Sequence, residues 1–365
     1  DVASEGGDVL QQIRMLFLQC GPQLSLRLLF DRPTHVRLAA AQELLLRSVS
    51  SRFGFRNRIA WKPKPSPALM LFKEAALFVP SGTMSNTVAI KSQTSHGDEI
   101  VTHRKSHIYL YEAGAYAALA GCSISLVDGR WGQMTPEGVE KAIRKSAGSD
   151  SHYPDCTLVC VENTTNVGGG SIYEQEILDS ICEVAQSNDC SVHLDGARLF
   201  NAVIGSETQP DRMVRDFDTI SLCLSKGLGA PVGSVIVGDR QTISEAHRCR
   251  KRLGGGMRQS GILAAAGLYA LDNNIDRLSE DHSRARRLAE AISKMQHFSV
   301  DLDAVQSNMV YVNCLEADSN EIIERLAKRG VDVLDETSSM VRAVVHLHIT
   351  DEDIDIAIGA FEDSQ

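Results

Sequence analysis

Ser191-Val192-His193-Leu194-Asp195-Gly196-Ala197-Arg198 is an apolar strand pattern that ends on a carboxylate and a tight Gly-Ala turn. Thirty-one residues after its aspartate stands Lys226, in Leu222-Cys223-Leu224-Ser225-Lys226-Gly227-Leu228-Gly229-Ala230-Pro231-Val232-Gly233. That lysine sits on a Ser/Gly-rich turn between two apolar runs, where it gains little as a solubilising charge. An amine that loses its proton beside a phosphate or carbonyl ligand forms a Schiff base readily.

Outward from these two segments the chain alternates. Short apolar runs at 75–79, 99–102, 123–127, 157–162, 190–194, 219–224 and 233–237 are separated at several points by helix-like stretches such as 135–145 and 174–188. This alternation predicts an α/β fold: a mostly parallel sheet flanked by helices, with ligands beyond the carboxyl ends of its strands. A long helical region at 261–296 leads into strand patterns at 298–302, 308–313 and 342–348, a helix at 319–329 and a last helix from 351, which predicts a smaller C-terminal α+β domain. The expected division is an atypical extension and linker at 1–71, a large domain at 72–260, and the connecting helix with the small domain at 261–365. Within the extension, 38–49 fits one amphipathic helix, and the prolines of 61–67 exclude regular structure.

At 365 residues the chain suits a large domain plus a smaller one. Hydrophobic content of 43% and charged content of 23% are those of a globular protein in water. No apolar run reaches the length of about 18 residues that a membrane span needs. The net charge of −10 argues against a nucleic-acid partner. Charge is uneven, however: residues 11–65 carry +8 and the rest −18. That basic, acid-poor stretch has the composition of an organelle transit peptide. It fits better as an extension, since its helical pattern is broken repeatedly and it does not begin the chain, which opens on Asp1 with its true start expected upstream. Nine scattered cysteines with no C-x-x-C pair argue against a disulfide scaffold or a zinc site and for a reducing, cytoplasmic setting.

A carboxylate ending one strand and a lysine after the next are what a pyridoxal phosphate site requires. The lysine carries the cofactor, and the carboxylate keeps its ring nitrogen protonated so that the ring accepts electrons. Phe78-Val79-Pro80-Ser81-Gly82-Thr83-Met84-Ser85-Asn86 is a strand entering a small-residue turn and a helix, whose first amides suit a phosphate. The same residues also make an ordinary helix cap. His107, after a polar loop, could stack on a cofactor ring and accept a proton near neutral pH; His103 competes but lacks the context. The loop 162–170, with Thr165, offers amides and hydroxyls to cofactor or substrate. Arg198 returns to the same face one turn after Asp195, and Arg342 is a charge in an apolar strand, costly without an anion. A substrate carboxylate would supply that anion; so would Asp335 or Glu336. Arg250 to Gln259 packs four cations around three glycines, which suits an anion or a basic surface loop.

Taken in order, the segments 78–86, 106–114, 162–166, 193–201, 224–233, 253–259 and 341–350 resemble those of the low-specificity L-threonine aldolases, fold-type-I pyridoxal phosphate enzymes of the β-eliminating lyase group. The resemblance covers about residues 72–355. It implies retro-aldol cleavage of L-threonine or L-allo-threonine to glycine and acetaldehyde, within threonine catabolism and glycine biosynthesis. It further implies that Lys226 holds the cofactor, Asp195 its ring nitrogen, and Ser81, Gly82 and Thr83 its phosphate, with His107 on the ring. Arg198 and Arg342 would grip the substrate carboxylate, and Arg258 would reach a phosphate across the interface of a homodimer or homotetramer. Two departures stand out. Nothing in 1–71 matches the family's usual opening segment, and Thr165 stands where many members have a histidine, so His107 or a water inherits that base's task. Another fold-type-I lyase or racemase, and a catalytically impaired aldolase homologue, are the alternatives that the residues leave open.

Overall fold

The structure is a computed structural model that describes residues 67–147 and 152–365. The helix expected at 38–49 lies outside them, as does most of the proline linker, whose last residue, Pro67, opens a short helix at Pro67–Met70. Seven strands form the main sheet: β1 Ala75–Val79, β2 Glu99–His103, β3 Ser123–Val127, β4 Cys156–Glu162, β5 Ser191–Gly196, β6 Thr219–Cys223 and β7 Ser234–Gly238. Their order is β1-β7-β6-β5-β4-β2-β3. The neighbours from β6 to β3 are parallel, and β7 is antiparallel to both β6 and β1.

Burial on both faces explains why most of these strands, the half-exposed edge strand β3 apart, read as largely apolar runs. Along β4 the side chains part with period two: Val159 and Val161 join the core beneath helices Pro136–Ala142 and Gln175–Ser187, while Leu158 and Cys160 meet Ile90 and Ile108 on the other face. The helix Gly82–Gln93 begins at Ser81, whose hydroxyl accepts the Met84 N–H at 3.1 Å. It packs over β5, β6 and β7.

A second, antiparallel sheet of order β10-β11-β9-β8 follows, formed by β8 Phe298–Ser299, β9 Met309–Cys314, β10 Leu334–Thr337 and β11 Met340–Val344. Helices Ser319–Ala327 and Asp351–Asp363 cover its core. Strand β10 escaped sequence reading because it is a largely exposed edge of Leu-Asp-Glu-Thr with no apolar alternation. Strand β11 ends at Val344, four residues before the expected limit, where the chain turns to enter the last helix.

The helical region 261–296 is two helices, Gly261–Asn273 and Leu278–Ile292. Two asparagines mark the break, and Asn274 Nδ2 donates to the Leu228 carbonyl at 2.7 Å, so the interruption is docked on the turn that carries Lys226. A β-carbon on Gly227 would lie 3.0 Å from Leu278 Cδ2, which keeps that approach to glycine. Arg277 begins the second helix and pairs with the fully buried Asp281 one turn on. Arg277→Ala leaves that carboxylate uncompensated and is expected to lower stability by about 3 kcal/mol, read from a urea or thermal melt. No helix among the described residues is long and apolar enough to cross a membrane.

Candidate active site

The C-terminal ends of the parallel strands share one edge, and the chemistry collects there. Strand β4 ends on Glu162, which lies in register beside Asp195 of β5, and Asp195 beside Ser221 of β6. The turn after β6 carries Lys226, half-buried, with no hydrogen bond or salt bridge to its amine among the described residues. Beyond β1 lies the start of helix Gly82–Gln93; Ser81 and Thr83 are exposed there, and a β-carbon on Gly82 would meet Cys223 Sγ at 2.9 Å. The glycine thus lets the helix start close upon the end of β6. As in any helix, the first N–H groups have no acceptor within it.

Asp195 is 2% exposed. Its Oδ2 accepts from Asn86 Nδ2 at 2.8 Å and its Oδ1 from the Ala197 N–H at 3.1 Å. The same Asn86 Nδ2 lies 2.8 Å from Glu112 Oε1, and Glu112 Oε1 lies 3.0 Å from His107 Nδ1. His107, Glu112 and Asp195 therefore form one polar cluster, with ligating atoms within 4.8 Å of each other. Burial opposes a charged His107, but the Glu112 hydrogen bond and the Asp195 charge prevail, and its pKa rises above the usual imidazole value. Lys226 is close enough to oppose that rise, so both charges read from the sequence reach His107. His103 is occupied elsewhere: its Nδ1 accepts the Lys105 amide at 2.9 Å and its Nε2 donates to the Gly129 carbonyl at 3.3 Å.

Glu162 ties two loops to this edge, accepting N–H bonds from His107 and Asn166, both at 2.7 Å. Burial first, and then the Asp195 charge, push its pKa up to about 7. An acid raised in the fold favours the folded state below its ordinary pKa near 4.5 and loses that stabilisation as pH climbs through 7. Wild-type protein should therefore lose stability relative to Glu162→Gln between pH 5 and pH 8, by on the order of 3 kcal/mol, measured as paired melts across that range.

The two arginines singled out from sequence converge on one oxygen. Asn166 Oδ1 accepts from Arg342 Nη1 at 3.1 Å and from Arg198 Nη1 at 3.5 Å. Tyr311, opposite Arg342 across β9 and β11, donates its hydroxyl to the Asn166 carbonyl at 2.8 Å. Glu336 Oε2 lies 3.8 Å from Arg342 Nη1, and Glu336 Oε1 takes the Tyr111 hydroxyl at 3.0 Å. Burial and then the neighbouring Arg342 charge lower the Arg198 pKa. Two cations share the neutral Asn166 oxygen, with Glu336, the partner the sequence also offered, pairing with Arg342 alone; the Arg342 Nε, buried without a hydrogen-bond partner among the described residues, leaves the group short of acceptors, which suits an anion.

Thr165 does not face this group through its hydroxyl. Its Oγ1 donates to the Trp131 carbonyl at 2.7 Å and meets Ser171 Oγ at 2.8 Å, so the neighbouring Asn166 is what touches the arginines. Arg258 lies exposed in the loop after helix Arg240–Arg252 and pairs with nothing among the described residues; from the last turn of that helix Arg250 donates to the Phe78 carbonyl at 2.6 Å. Asn86, Glu112, His193 and Tyr311 were given no role from sequence, whereas Glu336 was offered as a partner of Arg342 and Asn166 stood in the loop offered to cofactor or substrate. Asn86, Glu112 and His193 did stand inside segments that sequence reading had singled out, as polar residues among apolar ones.

With this edge in view, comparison with other proteins is decisive. The sequence profile of the beta-eliminating lyases matches residues 65–315. The chain belongs to that family. Low-specificity L-threonine aldolase 1 of Arabidopsis thaliana is 40% identical over 301 residues, 81% of this chain and 84% of that one. The low specificity L-threonine aldolase of Escherichia coli K12 is 39% identical over 282 residues, covering 77% and 82% of the two chains. Among solved structures, Leishmania major threonine aldolase has a TM-score of 0.68 across 89% of this chain and 88% of that one, at 18% identity. A Sphingomonas wittichii serine palmitoyltransferase has a TM-score of 0.66 at 17% identity, covering 89% and 76%. These relatives, and the solved structures similar to this chain, agree with the fold-type-I architecture that the resemblance implied.

Proposed function

We propose that this protein is a pyridoxal phosphate-dependent aldolase that cleaves L-threonine and L-allo-threonine to glycine and acetaldehyde. The observation that carries the reading is the anion site of Arg198 and Arg342 beside the Lys226 and Asp195 edge of the sheet. The residues present fit the cofactor. Asp195 offers a buried carboxylate, Lys226 an amine without a hydrogen-bond or ion-pair partner among the described residues, and Ser81, Gly82 and Thr83 a helix start suited to a phosphate. When bound, pyridoxal phosphate supplies an electron sink that draws the bonding pair from the substrate's Cα.

The chain's own side chains do the rest. Arg198 and Arg342 bind the amino-acid carboxylate, displacing Asn166 Oδ1 as their acceptor, and so set which bond at Cα breaks. His107, whose Nδ1 is bonded to Glu112, has Nε2 left to take the proton from the β-hydroxyl, the task for which Thr165 is unsuited. Glu162 keeps the His107 and Asn166 loops in register for both acts. Arg258 is assigned to a second copy of the chain, in a homodimer or homotetramer.

The test is purified protein with pyridoxal phosphate and L-threonine, with acetaldehyde followed through an NADH-linked reductase and glycine by amino-acid analysis. Equimolar glycine and acetaldehyde are expected. Release of ammonia and a keto acid, racemised threonine, or cofactor binding without turnover would each replace this reading by one of its alternatives.

A further inference from the structure

We propose that Asn86 and His193 are positioning residues for Asp195, the last links of a directed chain of buried hydrogen bonds that sets the orientation of its carboxylate. The inference rests on the proposed cofactor site, because Asp195 is the group that faces the cofactor ring there.

Every direction in the chain follows from one end. Asn86 Nδ2 lies 2.8 Å from Glu112 Oε1 and 2.8 Å from Asp195 Oδ2. Carboxylate oxygens accept, so the amide must present its two N–H groups to them, and its oxygen faces away. That oxygen lies 3.1 Å from His193 Nε2, which therefore carries a hydrogen. His193 Nδ1 lies 2.8 Å from Thr219 Oγ1, and Thr219 Oγ1 in turn receives Gln93 Nε2 at 2.7 Å. In the neutral ring Nδ1 accepts the threonine hydroxyl. Burial supports that form, since it pushes the His193 pKa down to about 4.

None of this is what packing alone asks for. Asn86, His193, Thr219 and Asp195 are each 2% exposed or less, at an interface between the Gly82–Gln93 helix and the sheet where apolar side chains would fill space without needing partners. Instead the helix places Asn86 and Gln93 against His193 and Thr219, and the chain ends on the carboxylate at the sheet's functional edge. A buried network with every donor assigned fixes geometry more firmly than its separate bonds.

The test uses the holoenzyme and the variants N86D, H193L and H193Q. Replacing the Asn86 amide by a third carboxylate oxygen removes the donor to Asp195 and adds repulsion. N86D and H193L should each weaken pyridoxal phosphate binding about tenfold or more in a fluorescence titration and lower kcat on threonine comparably. KM for threonine should stay within about threefold, because Arg198 and Arg342 are untouched. H193Q keeps one N–H and one acceptor at about the same separation and should restore both quantities to near wild type.

Wild-type cofactor affinity in N86D and H193L, or a KM that rises in step with the fall in kcat, would overturn the proposal. Should N86D not fold, nitrogen NMR of histidine-labelled wild-type protein decides: the Nε2–H tautomer of His193 is expected at every pH from 5 to 9, and an Nδ1–H ring or an imidazolium at pH 7 contradicts it. If wild-type protein binds no pyridoxal phosphate, the functional reading fails, whereas the tautomer still tests the chain itself.

Discussion

Lys226→Ala abolishes covalent capture of pyridoxal phosphate and lowers threonine cleavage about a thousandfold or more, because the site then has no amine to receive and release the cofactor. The amine makes no hydrogen bond or ion pair among the described residues, and it stands on a turn fixed from outside by Asn274 and by the close approach of Leu278 to Gly227. Its removal should therefore leave the melting curve of the cofactor-free protein shifted by no more than about 0.5 kcal/mol. That separation makes the variant informative: activity and cofactor capture vanish while the fold persists. Retention of more than a tenth of the wild-type turnover would assign the chemistry to another group.

Arg342→Leu is expected to lower kcat/KM for threonine on the order of a hundredfold, carried mainly by KM, since the fork of donors it presents to a carboxylate binds substrate before and during bond breaking. Arg198→Leu should act in the same direction, and the double variant should lose less than the product of the two, because both side chains serve one anion and presently share Asn166 Oδ1. Lysine at position 342 should not rescue, as an ammonium cannot offer two parallel N–H bonds. Stability should change little in Arg198→Leu, where losing one of two neighbouring cations relieves repulsion while it forfeits a hydrogen bond, and should fall by about 1–3 kcal/mol in Arg342→Leu, which also strips the mostly buried Glu336 of its ion pair. Steady-state kinetics of the four variants beside wild type, with thermal melts for stability, checks all of this, and a KM unchanged in Arg342→Leu would remove this side chain from substrate binding.

How much of this was legible in the sequence depended on the kind of signal. Strands buried on both faces announce themselves as apolar runs, and the half-exposed edge strand β3 still carries Ile124, Leu126 and Val127, so β1 and β3 were read to the residue and the others in the main sheet to within one or two. Strand β10 was not, because an exposed Asp-Glu-Thr edge carries no periodicity, and the break at Asn273-Asn274 was missed because asparagines are a weak stop signal and the contact that docks the break, with Leu228, is tertiary. Lys226 was visible as a lone lysine on a small-residue turn, Asp195 as a carboxylate ending an apolar strand, Arg198 as a cation one turn after it, and Arg342 as a charge in a place where a charge is expensive. Asn86 and Glu112 were not, since a neutral amide in a helix and an acid after two tyrosines look ordinary until the fold brings them to Asp195. Thr165 shows the limit of such a reading: its hydroxyl, offered to cofactor or substrate, turns toward the Trp131 carbonyl, and Asn166 beside it meets the arginines.

The central claim concerns one nitrogen and one ring. Incubating the protein with pyridoxal phosphate, reducing it with borohydride and mapping the label by peptide mass spectrometry tests it in a single step. The account predicts one pyridoxyl group per chain, on the peptide that contains Lys226. Label confined to other lysines, or none at all after reduction of a folded sample, would contradict it.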